Sequence, residues 1–146
     1  QALAIASEIG NKHDEATRLN SLGFAYQEQG HLERAFDYYR RALIIAQELG
    51  DRHNESRYLG NLGDICFDLG QVEYAIKYYE QAVNIAHELE DQEYEATLLR
   101  LLGLTCHHSG KIEQAVGYYQ KAEAFFNVIG PTEAKKIRSL LSELQV

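Results

Sequence analysis

An all-α solenoid of antiparallel helix pairs is the fold class this sequence predicts, on three observations. Residues 11–50, 51–90 and 91–130 align without a gap, so a unit of forty residues is written three times. Within each unit the apolar residues return at spacings of three and four, the period of a helix packed on one face. Each half-unit ends on a glycine, at 10, 30, 50, 70, 110 and 130, with Glu90 as the exception. Glycine takes the left-handed turn past a helix end at the least steric cost. A period of this size is one supersecondary unit stacked on itself, and such chains work through surface.

The elements follow in order. Gln1-Ala2-Leu3-Ala4-Ile5-Ala6 matches Arg41-Ala42-Leu43-Ile44-Ile45-Ala46 in register. Residues 1–10 are therefore expected to be the end of a preceding repeat, stopped at Gly10, with a further repeat upstream in the parent protein. The three full repeats, 11–50, 51–90 and 91–130, each predict two helices: near 12–29 and 31–49, 52–69 and 71–89, 92–109 and 111–129. Asn11, Asp51 and Asp91 follow the stops as N-caps. Gly130-Pro131-Thr132 restarts a helix, since proline is tolerated in a first turn. Its apolar residues, Ile137, Leu140, Leu141 and Leu144, form one narrow stripe, and Glu143 stands in the column of the internal glycine. Phe125 and Phe126 replace Ile85 and Ala86 just before it. Bulk in columns that are otherwise small makes 131–146 an expected C-terminal capping helix, and 1–146 a single array.

The columns identical in all three copies define the packing. Glu15, Leu19, Leu22-Gly23, Gly30, Glu33, Ala35, Tyr38-Tyr39 and Ala42 recur forty and eighty residues later. Gly23, Gly63 and Gly103 lie inside helices, where glycine costs about 1 kcal/mol against alanine. Keeping that cost in every copy predicts a close approach between paired helices. The Ala35 and Ala42 columns supply the matching shallow surface, and the Tyr39, Tyr79 and Tyr119 rings fill the space beside it. Leu19, Leu22 and Tyr26, with their copies, form the inward stripe of the first helices.

Leu19, Leu22-Gly23, Tyr26, Ala35, Tyr39 and Ala42 resemble the tetratricopeptide repeat signature, and the other two copies follow it over residues 11–130. The period departs from the usual 34 residues: the second helix is longer and its terminating proline is absent. This form resembles the forty-residue repeats of the Pins/LGN adaptor group, of kinesin light chains and of bacterial arrays attached to STAND-type nucleotide switches. The phrases YYEQAVNIAHELED and YLGNLGDICFDLG look most like the last kind. The resemblance implies a right-handed superhelix that carries its ligand on a concave face lined by the first helix of each pair.

Composition narrows the function. The charge is −8, of which the second repeat carries −5, and no basic stripe is present. An acidic surface argues against nucleic acid as a partner. No apolar run approaches the roughly 20 residues that a membrane span needs, so no membrane partner is expected. Cys66 and Cys106 share a column that holds Tyr26 in the first copy, which reads as buried and apolar. Equivalent helices stand about 8–10 Å apart, beyond the ~7 Å limit for a disulfide, and two reduced thiols suit a cytoplasmic protein. The six histidines offer no HxxxH or CxxC spacing, and structural zinc wants four ligands. No metal or other cofactor is expected. No phosphate loop or nucleophile set can be argued from spacing. The one acid–base pair worth weighing is Asp64 or Asp68 with His107, which a solvated face explains more simply. No enzymatic activity is expected.

Binding residues are sought opposite the core stripe, where the copies differ while the core columns agree. Helical phase gives Asn20 and Phe24 from the first repeat, with Arg57, Asn61, Asp64 and Phe67 from the second. The third gives Arg100, Leu101, Leu104 and His107. Phe24, Phe67, Leu101 and Leu104 are not needed by the hairpin core, and a contiguous apolar set marks an interaction surface. Arg57, Asn61 and Arg100 are placed near one edge, Asp64, Asp68 and Glu28 near the other. Such a groove suits an amphipathic helix or extended segment whose polar ends fix its direction. Asn61 matches the asparagine with which many tetratricopeptide proteins hold a ligand backbone, but Ser21 and Leu101 occupy that column elsewhere. Asn20, Phe24, Thr97 and Leu101 stand where the chaperone-tail clamp carries its basic and amide groups, so an acidic chaperone tail is not the expected ligand. The functional expectation is a peptide-binding scaffold or sensor in a larger signalling protein. The alternative is self-association, or an intramolecular clamp, through the array ends at 1–9 and 132–146.

Overall fold

A computed structural model describes residues 1–144. The stops in the sequence become turns of one kind. Gly30, Gly50, Gly70 and Gly110 hold φ between 65° and 77°. At the second of the hairpin turns, the Gly70 N–H donates to the Phe67 carbonyl at 2.9 Å and the Gln71 N–H to the Cys66 carbonyl at 2.8 Å. These two bonds satisfy carbonyls that the helix end would otherwise leave bare. Glu90 fills the same role at φ 56°, a left-handed conformation that costs a side chain about 1–2 kcal/mol. Gly130 departs from the pattern: its φ of −159° is extended backbone, and the chain enters the next helix directly at Pro131.

Seven helices result, α1 (Ala2–Glu28), α2 (Leu32–Leu49), α3 (Arg52–Asp68), α4 (Val72–Glu88), α5 (Gln92–His108), α6 (Ile112–Ile129) and α7 (Pro131–Leu144), and none of the described residues forms a strand. Each helix packs on the one before it and the one after it. The molecule is an all-α repeat solenoid. Asp51 and Asp91 cap α3 and α5 as expected, accepting from the Asn54 N–H at 3.1 Å and the Tyr94 N–H at 3.2 Å.

Two expectations about the first repeat are corrected. α1 runs unbroken through Gly10, so no turn forms there and Asn11 lies inside a helix instead of capping one. Residues 2–9 folded back would make only about two helical turns, whereas running on adds a backbone hydrogen bond with each residue. As a consequence Leu22 is 43% exposed, although Leu62 and Leu102 in its column are at 0% and 1%. α2 packs on α3 and α4 on α5; among the described residues no helix lies over Leu22 in the same way.

The glycine-and-tyrosine packing is as the columns predict. A Cβ on Gly23 would meet the Tyr39 ring at 2.7 Å, on Gly63 the Tyr79 ring at 2.6 Å, and on Gly103 the Tyr119 ring at 2.5 Å. The alanines at 35, 42, 75, 82, 115 and 122 are fully buried. The structure also explains the invariant glutamate. Glu55 accepts from the Gln47 amide at 3.3 Å and from Arg52 at 2.9 Å, and Glu95 lies 3.1 Å from the His87 Nδ1, so each stitches a first helix to the helix before it. Past the third repeat, α7 lays Ala134, Ile137 and Leu141 on α6 and leaves Glu143 exposed.

A candidate peptide-binding groove

The first helices of the repeats meet along a common face. The Asn61 amide donates to the Asn20 Oδ1 at 2.9 Å, tying α3 to α1. On the other side, the Tyr94 hydroxyl of α5 lies over Gly60 so closely that any Cβ there would collide with it. Between these ties opens a cavity of about 680 Å³. Asn20, Phe24, Arg57, Asn61, Asp64 and Leu101 all line it. A second cavity of about 370 Å³ shares Gln27, Asp64 and Leu101 with the first and adds Phe67, Leu104, Asp68 and His108. Phe24 is 59% exposed, and Phe67, Leu101 and Leu104 are half-buried.

Eight of the ten residues proposed from the sequence therefore line these two adjoining cavities. Arg100 does not: it sits in a separate hollow with Glu93, Phe126 and Glu133, joined to the groove only through Thr97. His107 lines neither cavity. Its neighbour His108 takes the place, edge-on to Phe67 with ring centroids 5.5 Å apart. Leu101, Leu104 and His108 lie three and four residues apart, so one helical stripe contains all three. Tyr94 was missed altogether. The signal was Gly60, a glycine where the other copies carry Asn20 and Arg100.

Polar groups at the groove floor are held by the second helices. Tyr79 donates its hydroxyl to the Asp64 Oδ1 at 2.5 Å, and Tyr39 donates to the Gln27 Oε1 at 2.9 Å. In the third repeat Leu104 and His107 occupy those acceptor columns, and the buried Tyr119 hydroxyl has no hydrogen-bond partner among the described residues. Burial pushes the Asp64 carboxyl above the usual carboxylate range; the Tyr79 hydrogen bond pulls it back and the Asp68 charge adds to the rise. Burial, with the Asp64 charge second, pushes Tyr94 up to about 12. Arg57 lies along the same cavity: its Nε is 3.1 Å from the His53 Nε2 and its guanidinium stands 5.2 Å from the Tyr94 ring centroid.

Other chemistry finds little footing. Cys66 and Cys106 are free and buried, and burial raises both thiols, Cys66 to about 11, which disfavours the reactive thiolate. Among the described residues no three His, Cys, Asp or Glu side chains are grouped so as to hold a metal ion, and no helix is long and apolar enough to cross a membrane.

No curated protein sequence matches the chain. Among solved structures, the N-terminal domain of stress-induced protein-1 from C. elegans is similar at 19% identity and TM-score 0.77, over 92% of this chain and 98% of that one. Aspartyl phosphate phosphatase F from Bacillus subtilis is similar at 19% identity and TM-score 0.82, over 91% of this chain but 35% of its own. The Yersinia enterocolitica type III secretion translocator chaperone SycD is similar at 18% identity and TM-score 0.74, over 90% and 84%. At such identities the likeness shows the fold. The tetratricopeptide repeat family model matches residues 1–48, 15–88 and 54–127. With that match spanning most of its length, the chain belongs to the tetratricopeptide repeat family.

Proposed function

We infer that the chain is a protein-interaction module that holds a peptide or helical segment of a partner in the groove of α1, α3 and α5. It serves as the sensor or adaptor part of a larger cytoplasmic signalling protein, and its role is binding, with no reaction of its own. One observation carries this reading. Phe24, Phe67, Leu101 and Leu104 line two adjoining cavities and keep exposed surface there, and apolar surface of that kind is what a partner's anchor residues cover. Arg57 and the Asn20–Asn61 pair supply polar contacts that orient a guest. SycD is by name a chaperone, and a grip on another protein is what we assign here as well.

A second reading is favoured by α1. Leu3 is 89% exposed, and Ile5 and Ile9 on the same helix are also exposed, a surface suited to self-association. The two readings separate on one set of variants, with partner capture and sedimentation measured together. Phe67→Ala with Leu104→Ala is expected to abolish capture and leave the sedimentation coefficient unchanged. Capture that survives this pair, with a dimer lost on trimming residues 132–146 or 1–9, would contradict groove binding and favour self-association.

A further inference from the structure

The charge at the groove floor says what kind of segment it takes, an inference that rests on the groove reading above. The smaller cavity is lined by the apolar side chains of Phe67, Leu101 and Leu104 together with Asp64 and Asp68. Glu28 lines the adjoining cavity. None of these three carboxylates joins an ion pair among the described residues. The cation that shares the larger cavity with Asp64, Arg57, is turned onto Tyr94 and His53. Arg100 lies in the separate hollow beside Glu133.

A partly buried carboxylate with a like charge beside it and no ion pair is a costly arrangement, and a guest that brings the cation relieves it. Apolar side chains and carboxylates in one cavity also match the build of a long cationic side chain, whose methylene stem lies on apolar surface while its head meets charge. The amide tie leaves the Asn61 Oδ1 and the Asn20 Nδ2 open for a backbone N–H and carbonyl. We propose that the groove takes a protein segment bearing a Lys or Arg next to a large apolar residue. The cation seats between Asp64 and Asp68, and the apolar neighbour lies against Phe24 and Leu101. An acidic segment would meet three carboxylates against the single cation Arg57, which lies in the larger cavity and not between Asp64 and Asp68.

The probe is a phage library of random twelve-residue peptides panned against the whole chain. The inserts enriched are expected to carry Lys or Arg within four positions of Leu, Ile, Phe or Trp. A fluorescein-labelled synthetic copy of one such insert should bind at least tenfold more weakly to Asp64→Asn, which keeps an acceptor for Tyr79. Binding to Glu113→Gln, far from the groove, should be unchanged. Asp64→Lys should turn the enrichment toward acidic inserts, and affinity should fall as salt rises. Acidic or uncharged inserts that are lost on Phe67→Ala with Leu104→Ala, at an unchanged helical melt, would overturn the cationic assignment and leave the groove standing. So would basic inserts indifferent to Asp64→Asn but lost on that pair. Inserts that survive all these variants, or a panning that enriches nothing, would overturn the groove reading and this inference with it.

Discussion

Leu22 and Leu62 are one residue in one column of the repeat, yet the first is 43% exposed and the second fully buried. Glu15 and Glu55 differ in the same way: one is exposed, the other is buried and bonded to the helix before it. Gly10 and Gly50 also share a column, and only Gly50 turns the chain. The comparison of the first repeat with the second separates what a repeat carries within itself from what its neighbour supplies. The Gly23–Tyr39 contact inside the first hairpin is as tight as its counterpart in the second, so the hairpin is written locally. Burial of the first helix's outer columns comes from the preceding hairpin, as expected where stability is a sum of units and nearest-neighbour interfaces.

The largest effect should come from deleting the same side chain in each setting. Leu62→Ala is expected to cost about 2–5 kcal/mol, whereas Leu22→Ala should stay within about 0.5 kcal/mol. Similar losses in urea melts would mean that the burial contrast is not energetic. Glycines inside helices give the next contrast. Gly63→Leu forces bulk into the Tyr79 ring and should cost roughly 1–3 kcal/mol, while Lys77→Leu on the exposed face of α4 should cost far less. Gly117, with nothing within 4 Å of its Cβ position, should gain up to about 1 kcal/mol on Gly117→Ala.

A smaller gain is expected at the turn column, where Glu90→Gly relieves a left-handed side chain by about 1 kcal/mol and Gly50→Glu loses a comparable amount. The opposite signs, read from thermal melts of the two variants, are the check. The last effect depends on pH. Because burial raises the Asp64 carboxyl, the folded chain holds that proton more tightly than the unfolded one. Its favourable contribution is therefore complete below the ordinary carboxylate range and is lost as pH rises through the folded value. Asp64→Asn should melt above the parent at pH 7, with a gap that closes as pH falls toward 3. A gap independent of pH would show that charge burial is not the cause.

Much of this was legible in the sequence because the repeat states each local rule three times. Helix ends from Gly30 to Ile129 fall within about a residue of the glycine and aspartate punctuation, and the glycine–tyrosine contact was visible as paired invariant columns. Gly10 misled because a turn residue permits a turn without requiring one; the packing that stabilises the turn at Gly50 is supplied by other helices. In the groove, helical phase located Phe24, Asn61, Asp64 and Leu101 because a helix face is a local property. Arg100 and His107 were misplaced for two different reasons. α7 closes a separate hollow around Arg100, a tertiary fact, whereas adjacent histidines differ by about 100° in direction, which phase alone resolves poorly. Tyr94 escaped because its role arises from a contact between repeats, where it covers Gly60.

The claim that the groove is the binding surface meets its most direct test in a titration followed by two-dimensional NMR. The ¹⁵N-labelled chain would be titrated with the synthetic peptide from the panning, and amide shifts followed residue by residue. The account predicts that the largest shifts fall on α1, α3 and α5, at Asn20, Phe24, Asn61, Asp64, Leu101 and His108, with α2 and α4 nearly unmoved on their outer faces. Shifts concentrated on residues 2–9, on α7 or on the outer faces of the second helices would contradict it.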